Sequence, residues 1–367
     1  MQSNPDHDEI LYYVPHKLFI MKKLCTLFAM VILALVIISC KTKPGSEPEQ
    51  KTGTTDFTGQ WTIDIQGGSV GWLEVRQEEN YLDADLLWIE GSVLPVANVF
   101  YADNDDLVVT QINDVAVKKD AGNNVLRSHM VTTWLEISMQ GDKIVGTRME
   151  PKTDGTGIDS TSFTGAKLPP VPAAPDLTAL KFGDPVVLFN GKDLTGWKLI
   201  NKDQKNGFSA KDGVINNDPL QVEGEEHVIY GNLRTEQEFS DFNLKLEVNI
   251  PANSNSGIYL RGMYEIQVMD SYGKELDPLN MGAVYSRIKP VVAAEKPAGT
   301  WQTMDITLCD RHITVILNGT KIIDNQPVYG PTGGAIISDV FAPGPIYLQG
   351  DHGKVMYRNM VLTPIEK

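Results

Sequence analysis

Residues 255–270 read NSGIYLRGMYEIQVMD. Ile258, Leu260, Tyr264, Ile266 and Val268 fall on one parity; Tyr259, Arg261, Glu265 and Gln267 fall on the other. Side chains alternate between faces along a strand. The spacing therefore predicts extended chain with one apolar face and one face that carries a phenol, a guanidinium, a carboxylate and an amide. The alternation returns at 344–353, GPIYLQGDHG, where Ile346 and Leu348 share one parity and Tyr347, Gln349 and Asp351 the other, with His352 following in a turn. Two strands far apart in the chain thus offer matching polar faces.

The sequence around them is β-rich. VVLFNGKDLTGWKLI (186–200) opens with a strand and a Gly-rich turn, FNLKLEVNIP (242–251) alternates, and 300–328 holds two hairpins, the second through Asn318-Gly319, a strong tight-turn signal. Short helices are expected only near 233–239 and 290–296. Many strands and few helices over 184–367 predict a jelly-roll β-sandwich, whose concave sheet is the usual place for a sugar.

Upstream, 57–166 predicts a smaller all-β domain. GQWTIDIQ (59–66), 71–89, 96–112 and 132–150 are β-branched and aromatic runs separated by turn residues at hairpin spacing. An antiparallel barrel or sandwich is the expected form. Trp61, Trp72, Trp88 and Trp134 are read mainly as core aromatics rather than a sugar platform. Pro169, Pro170, Pro172 and Pro175 mark 167–183 as a linker of extended character.

The first 39 residues read as a signal region. Met21-Lys22-Lys23 precedes an apolar run over 24–38, and VIISC then resembles a bacterial lipobox ending at Cys40. This predicts an exported envelope protein, held to a membrane by lipid on Cys40, with 40–56 as a polar tether. Of three cysteines, only Cys309 lies outside these segments, so no internal disulfide is expected. Net charge is −15 without a basic stripe, which argues against a nucleic-acid partner.

No HExxH, CxxC, GxSxG or phosphate-loop pattern occurs. The residues alone leave a glycan-binding module, an enzyme and an envelope scaffold open. Glu265 has a bland reading as a cross-strand partner of Arg261, and Asp270 as a turn cap. His227 in EGEEH and His312 in DRHIT are expected at the surface.

Seven ordered motifs add a resemblance: LFNGKDLTGW, NLRTEQEFSDFNLKLEV, NSGIYLRGMYEIQVMDS, GAVYSRIKP, KPAGTWQTMDI, LNGTKI and GPIYLQGDHGKVMYRN, spread over 186–363. Together they resemble the 3-keto-disaccharide hydrolase family, long known as a domain of unknown function. The resemblance implies a concanavalin-like sandwich acting on a carbohydrate. A ketone at C3 acidifies the C2 hydrogen, a base removes it, the C1 glycosidic bond leaves by elimination, and water adds back. Such a route needs a base, an acid and an electrophile at the C3 oxygen. The family-like positions are Arg261, Glu265, Asp270 and His352 for catalysis, with Gln267, Tyr285, Lys296 and Gln349 for the sugar; the alternation adds Tyr259. Glu265 or His352 is the expected base, and Arg261, with or without a divalent cation, the enolate holder. Glu265, Asp270 and His352 as ligands of that cation are the open alternative. The 57–166 segment lies outside the resemblance.

Overall fold

The strands Asn255–Leu260 and Tyr264–Met269 pair antiparallel, with Tyr259 opposite Glu265 and Gly257 opposite Gln267. The turn between them begins with Arg261 and Gly262, both in the left-handed region at φ 54° and 63°. Tyr347–Leu348 lies on the other side of Asn255–Leu260 and sets Tyr347 beside Tyr259. The computed structural model describes residues 55–222 and 225–367. The signal region, the lipidation site at Cys40 and nearly all of the tether lie outside the described residues.

These three strands belong to a five-stranded sheet, completed by Leu233–Thr235 and Trp197–Leu199. It packs on a larger antiparallel sheet that contains Phe242–Asn249, Gln302–Cys309, His312–Leu317 and the long last strand Val355–Glu366. Ile258, Leu260, Tyr264, Ile266, Val268, Ile346 and Leu348 all sit in the core between the two sheets. Burial of this apolar parity is the main favourable term that holds the sheets together. The result is the expected jelly-roll-type sandwich. No helix occurs among the described residues. The short helix expected at 233–239 is instead begun by a strand, because Leu233–Thr235 has partners on both sides; 290–296 is irregular chain.

The upstream region forms a nine-stranded antiparallel sheet over 59–167 with its own core, which includes Trp61, Leu73, Leu135, Ile137 and Phe163. Its two edge strands, Leu94–Pro95 and Asn98–Tyr101, are consecutive in the chain. The sheet therefore curls until its edges come close, while residues 111–119 pair on one side only, with the Val125–Gln140 strand. Gly53–Lys367 is one compact unit. Trp72 and Leu87, from the curled sheet, are buried in the core cluster of the sandwich. The linker is fastened as well: Arg311 donates to the Pro169 carbonyl and Asn325 to that of Pro175.

Candidate active site

The polar face of the hairpin is buried rather than wet. Glu265 is 3% exposed and Gln267 1%. This face, together with Tyr347, Gln349, Asp351 and His352 from the C-terminal segment, lines a cavity of about 420 Å³. Of the expected residues, the cavity collects Tyr259, Glu265, Gln267, Tyr285, Gln349 and His352. Glu265 and His352 thus open onto the same space from separate β segments.

Glu265 lies at the floor. It can lie there because Gly257, diagonal to it on the neighbouring strand, has no side chain: a Cβ at that position would overlap Glu265 Oε1. The Tyr259 hydroxyl is 2.8 Å from Glu265 Oε2 and 2.7 Å from the Gly333 carbonyl oxygen. A phenol carries one proton and donates to one of these acceptors at a time. With Glu265 protonated both contacts are satisfied, the carboxyl donating to the phenol oxygen and the phenol to Gly333. Burial acts in the same direction and pushes the Glu265 carboxyl up to about 8. Tyr259 and Tyr347 stack with ring centroids 3.8 Å apart. Burial, first, raises both phenols well above the usual range, so both stay neutral donors. Tyr347 donates to the Gly334 carbonyl at 2.5 Å.

At the same cavity, Asp351 Oδ2 lies 3.0 Å from His227 Nε2, while its Oδ1 accepts the Tyr230 amide at 2.8 Å. A carboxylate fixed by a main-chain N–H therefore holds an imidazole and leaves His227 Nδ1 for other work. The buried carboxamide oxygens of Asn255, Gln267 and Gln349 have no partner among the described residues, although all three residues line the cavity. Buried polar groups are normally paired; here the cavity is the place where a partner can sit.

Three expected residues lie elsewhere. Arg261 is buried, but its guanidinium donates to the carbonyls of Val340 and Ala342 and does not line the cavity. The strand ends at Leu260, and the left-handed turn that follows breaks the alternation. Asp270 accepts the Asn253 amide at 3.0 Å and caps the turn at 251–254. Lys296 packs in the loop before Gln302, with its ammonium 3.3 Å from the Trp301 carbonyl. Asp270 is not among the residues that line the cavity with Glu265 and His352, so the three do not converge as a cation site. Among the described residues, Asp241, Cys309 and Asp310 do cluster, but the Lys367 ammonium already bridges the two carboxylates at 2.8 and 2.6 Å. Burial, first, pushes the Cys309 thiol up to about 12, so it is no nucleophile.

His227 is exposed, as its acidic neighbours suggested, but its pairing with Asp351, 124 residues away, has no signal in the sequence. Asp351 itself falls on the polar parity of 344–353 and was legible there. His312 is buried, not exposed, and its Nδ1 is 2.9 Å from the Asp310 carbonyl.

The fold is a β-sandwich with a polar cavity, and its family match makes this a carbohydrate-acting protein. The family model of the 3-keto-alpha-glucoside-1,2-lyase-like domain matches residues 184–363, and this C-terminal domain is of the 3-keto-disaccharide hydrolase family. Similar solved structures include a candidate glycosyl hydrolase from Parabacteroides distasonis, 28% identical with a TM-score of 0.41, which covers 53% of this chain and 92% of that one. A second from the same organism is 23% identical with a TM-score of 0.40 and covers 50% of this chain and 94% of that one. A carbohydrate-binding module from Bacillus subtilis is 13% identical with a TM-score of 0.28 and covers 47% of this chain and 95% of that one. No curated protein matches the sequence.

Proposed function

We propose that this protein cleaves 3-keto-glycosides, 3-keto-disaccharides among them, by C2 proton abstraction, elimination at C1 and hydration. One observation carries the reading: a buried carboxyl in contact with a phenol shares a cavity with an imidazole held by a carboxylate. A carboxyl in a dry environment beside an imidazole gives one site both a proton donor and a proton acceptor.

In this reading His227 Nδ1 takes the C2 proton while Asp351 steadies the ring. The C2–H electron pair becomes the C1=C2 double bond, the C1–O bond breaks, and the Glu265 proton goes to the departing oxygen. The C3 ketone stays conjugated with the new double bond. Water then adds across it: Glu265, now ionised, takes a proton from the water, whose oxygen bonds to C1, and the imidazolium returns a proton to C2. Both groups end as they began, and the net change is hydrolysis. His352, Tyr285, Gln267 and Gln349 hold the sugar, the carboxamides making directional hydrogen bonds to its hydroxyls and its C3 oxygen. Tyr259 keeps the Glu265 proton in place. No step is routed through a cation.

The test is turnover of a 3-keto-disaccharide, followed by ultraviolet absorbance of the enone intermediate and by release of the second sugar. An enone that rises and decays is the expected result. Binding of the disaccharide with neither enone nor product would overturn the reading in favour of a glycan-binding protein. The reading extends to an envelope lipoprotein anchored at Cys40. Palmitate labelling in cells checks this part, and it should vanish in Cys40→Ser.

A further inference from the structure

The cavity is not built by the family domain alone. Glu90 and Gly91, from the turn that follows Leu82–Leu87 in the curled N-terminal sheet, also line it. This turn is locked onto the loop that carries the tyrosine contacts. Gly334 donates to the Ile89 carbonyl at 2.9 Å, and a Cβ on Gly333 would overlap the Gly91 backbone. Val93 donates to Ser286 Oγ at 3.1 Å, next to Tyr285. The Arg287 guanidinium lies 4.1 Å from the centroid of the Trp72 ring and donates to the Pro331 carbonyl. Ile89 adopts φ 64°, a conformation costly for a β-branched residue. The docking holds the turn in that state.

Resting on the function proposed above, we infer that the substrate site is composite, and that Glu90 is a specificity-determining residue for the sugar unit beyond the reacting ring. Glu265 is buried at the floor, so the reacting ring lies deepest. Glu90 is exposed at the rim, where the second unit of a disaccharide must lie. Its carboxylate has no partner among the described residues, and a carboxylate accepts hydrogen bonds from sugar hydroxyls. A charge-assisted bond of this type corresponds to roughly a tenfold or larger effect on affinity.

The experiment compares wild type and Glu90→Ala on a 3-keto-disaccharide and on methyl 3-keto-glucoside, which lacks the second sugar. The expected result is about a tenfold loss of kcat/KM on the disaccharide, carried by KM, with the methyl glucoside and the melting temperature unchanged. Equal effects on both substrates, or none, would overturn the inference. A parallel measurement separates it from the chemistry: calorimetric binding of the 3-keto-disaccharide to Glu265→Gln, with and without Glu90→Ala. Weaker binding in the double variant upholds the composite site even if wild type turns nothing over. Equal binding, or binding to neither, ends it.

Discussion

The Tyr259 hydroxyl touches Glu265 Oε2 at 2.8 Å across a hairpin in which the two residues are direct register partners. A six-residue separation in the chain thus becomes one hydrogen-bonded unit, closed from beneath by Gly257 and from the side by Gly333. Most of the chemistry proposed for this protein depends on the proton held there.

Replacing Glu265 by Gln removes that proton donor and nothing of its shape. The expected loss in kcat is about 10²–10⁴-fold, measured as release of the second sugar. Wild-type activity should fall as pH rises through about 8, where the acid form is lost. A flat profile across that range would separate Glu265 from the leaving-group proton.

The same group sets a pH dependence of stability. Its folded-state pKa of about 8 lies above the ordinary 4.5, so the native state binds the extra proton and stability falls as pH rises between these values. The slope approaches 1.4 kcal/mol per pH unit for one such group and vanishes above about 8. Glu265→Gln stays neutral throughout. Its unfolding free energy should gain on that of wild type from pH 5 to pH 8, in urea titrations, and then run parallel to it.

Gly257→Ala probes the floor without touching a polar group. The added methyl overlaps Glu265 Oε1 and must push the carboxyl off Tyr259. We expect a cost of about 1–3 kcal/mol and a fall in kcat similar in kind to that of Glu265→Gln, read by denaturation and by turnover.

His227 and Asp351 should act as one unit. His227→Ala and Asp351→Asn are each expected to lower kcat, and the double variant to be little worse than His227→Ala alone, since groups that share one step are not additive. Additive losses in a double-mutant cycle would mean that the two work apart.

Arg261 and Lys296 should behave as structural residues. Arg261→Ala leaves the Val340 and Ala342 carbonyls unpaired and should cost about 1–3 kcal/mol in stability while the folded fraction keeps its kcat. Lys296→Ala should change neither melting temperature nor turnover. A hundredfold loss of kcat in either would return that residue to the catalytic set.

What the sequence by itself determined is the period-two arrangement of 255–270 and 344–353, and with it which side chains enter the core and which face away. Alternation is a local property of extended chain, so Tyr259, Glu265, Gln267, Tyr347, Gln349 and Asp351 were legible on one kind of face before any fold was known. The family resemblance rests on these two segments and five other motifs. Tertiary structure alone decided the rest. The left-handed turn at Arg261 took a residue of the right parity out of the cavity. The pairing of His227 with Asp351, and the arrival of Glu90 from the curled sheet, join residues whose separation along the chain carries no local signal. Burial then changed what one carboxyl does: Glu265 is an ordinary acid in sequence and a proton-holding one only where the folded chain removes water from around it.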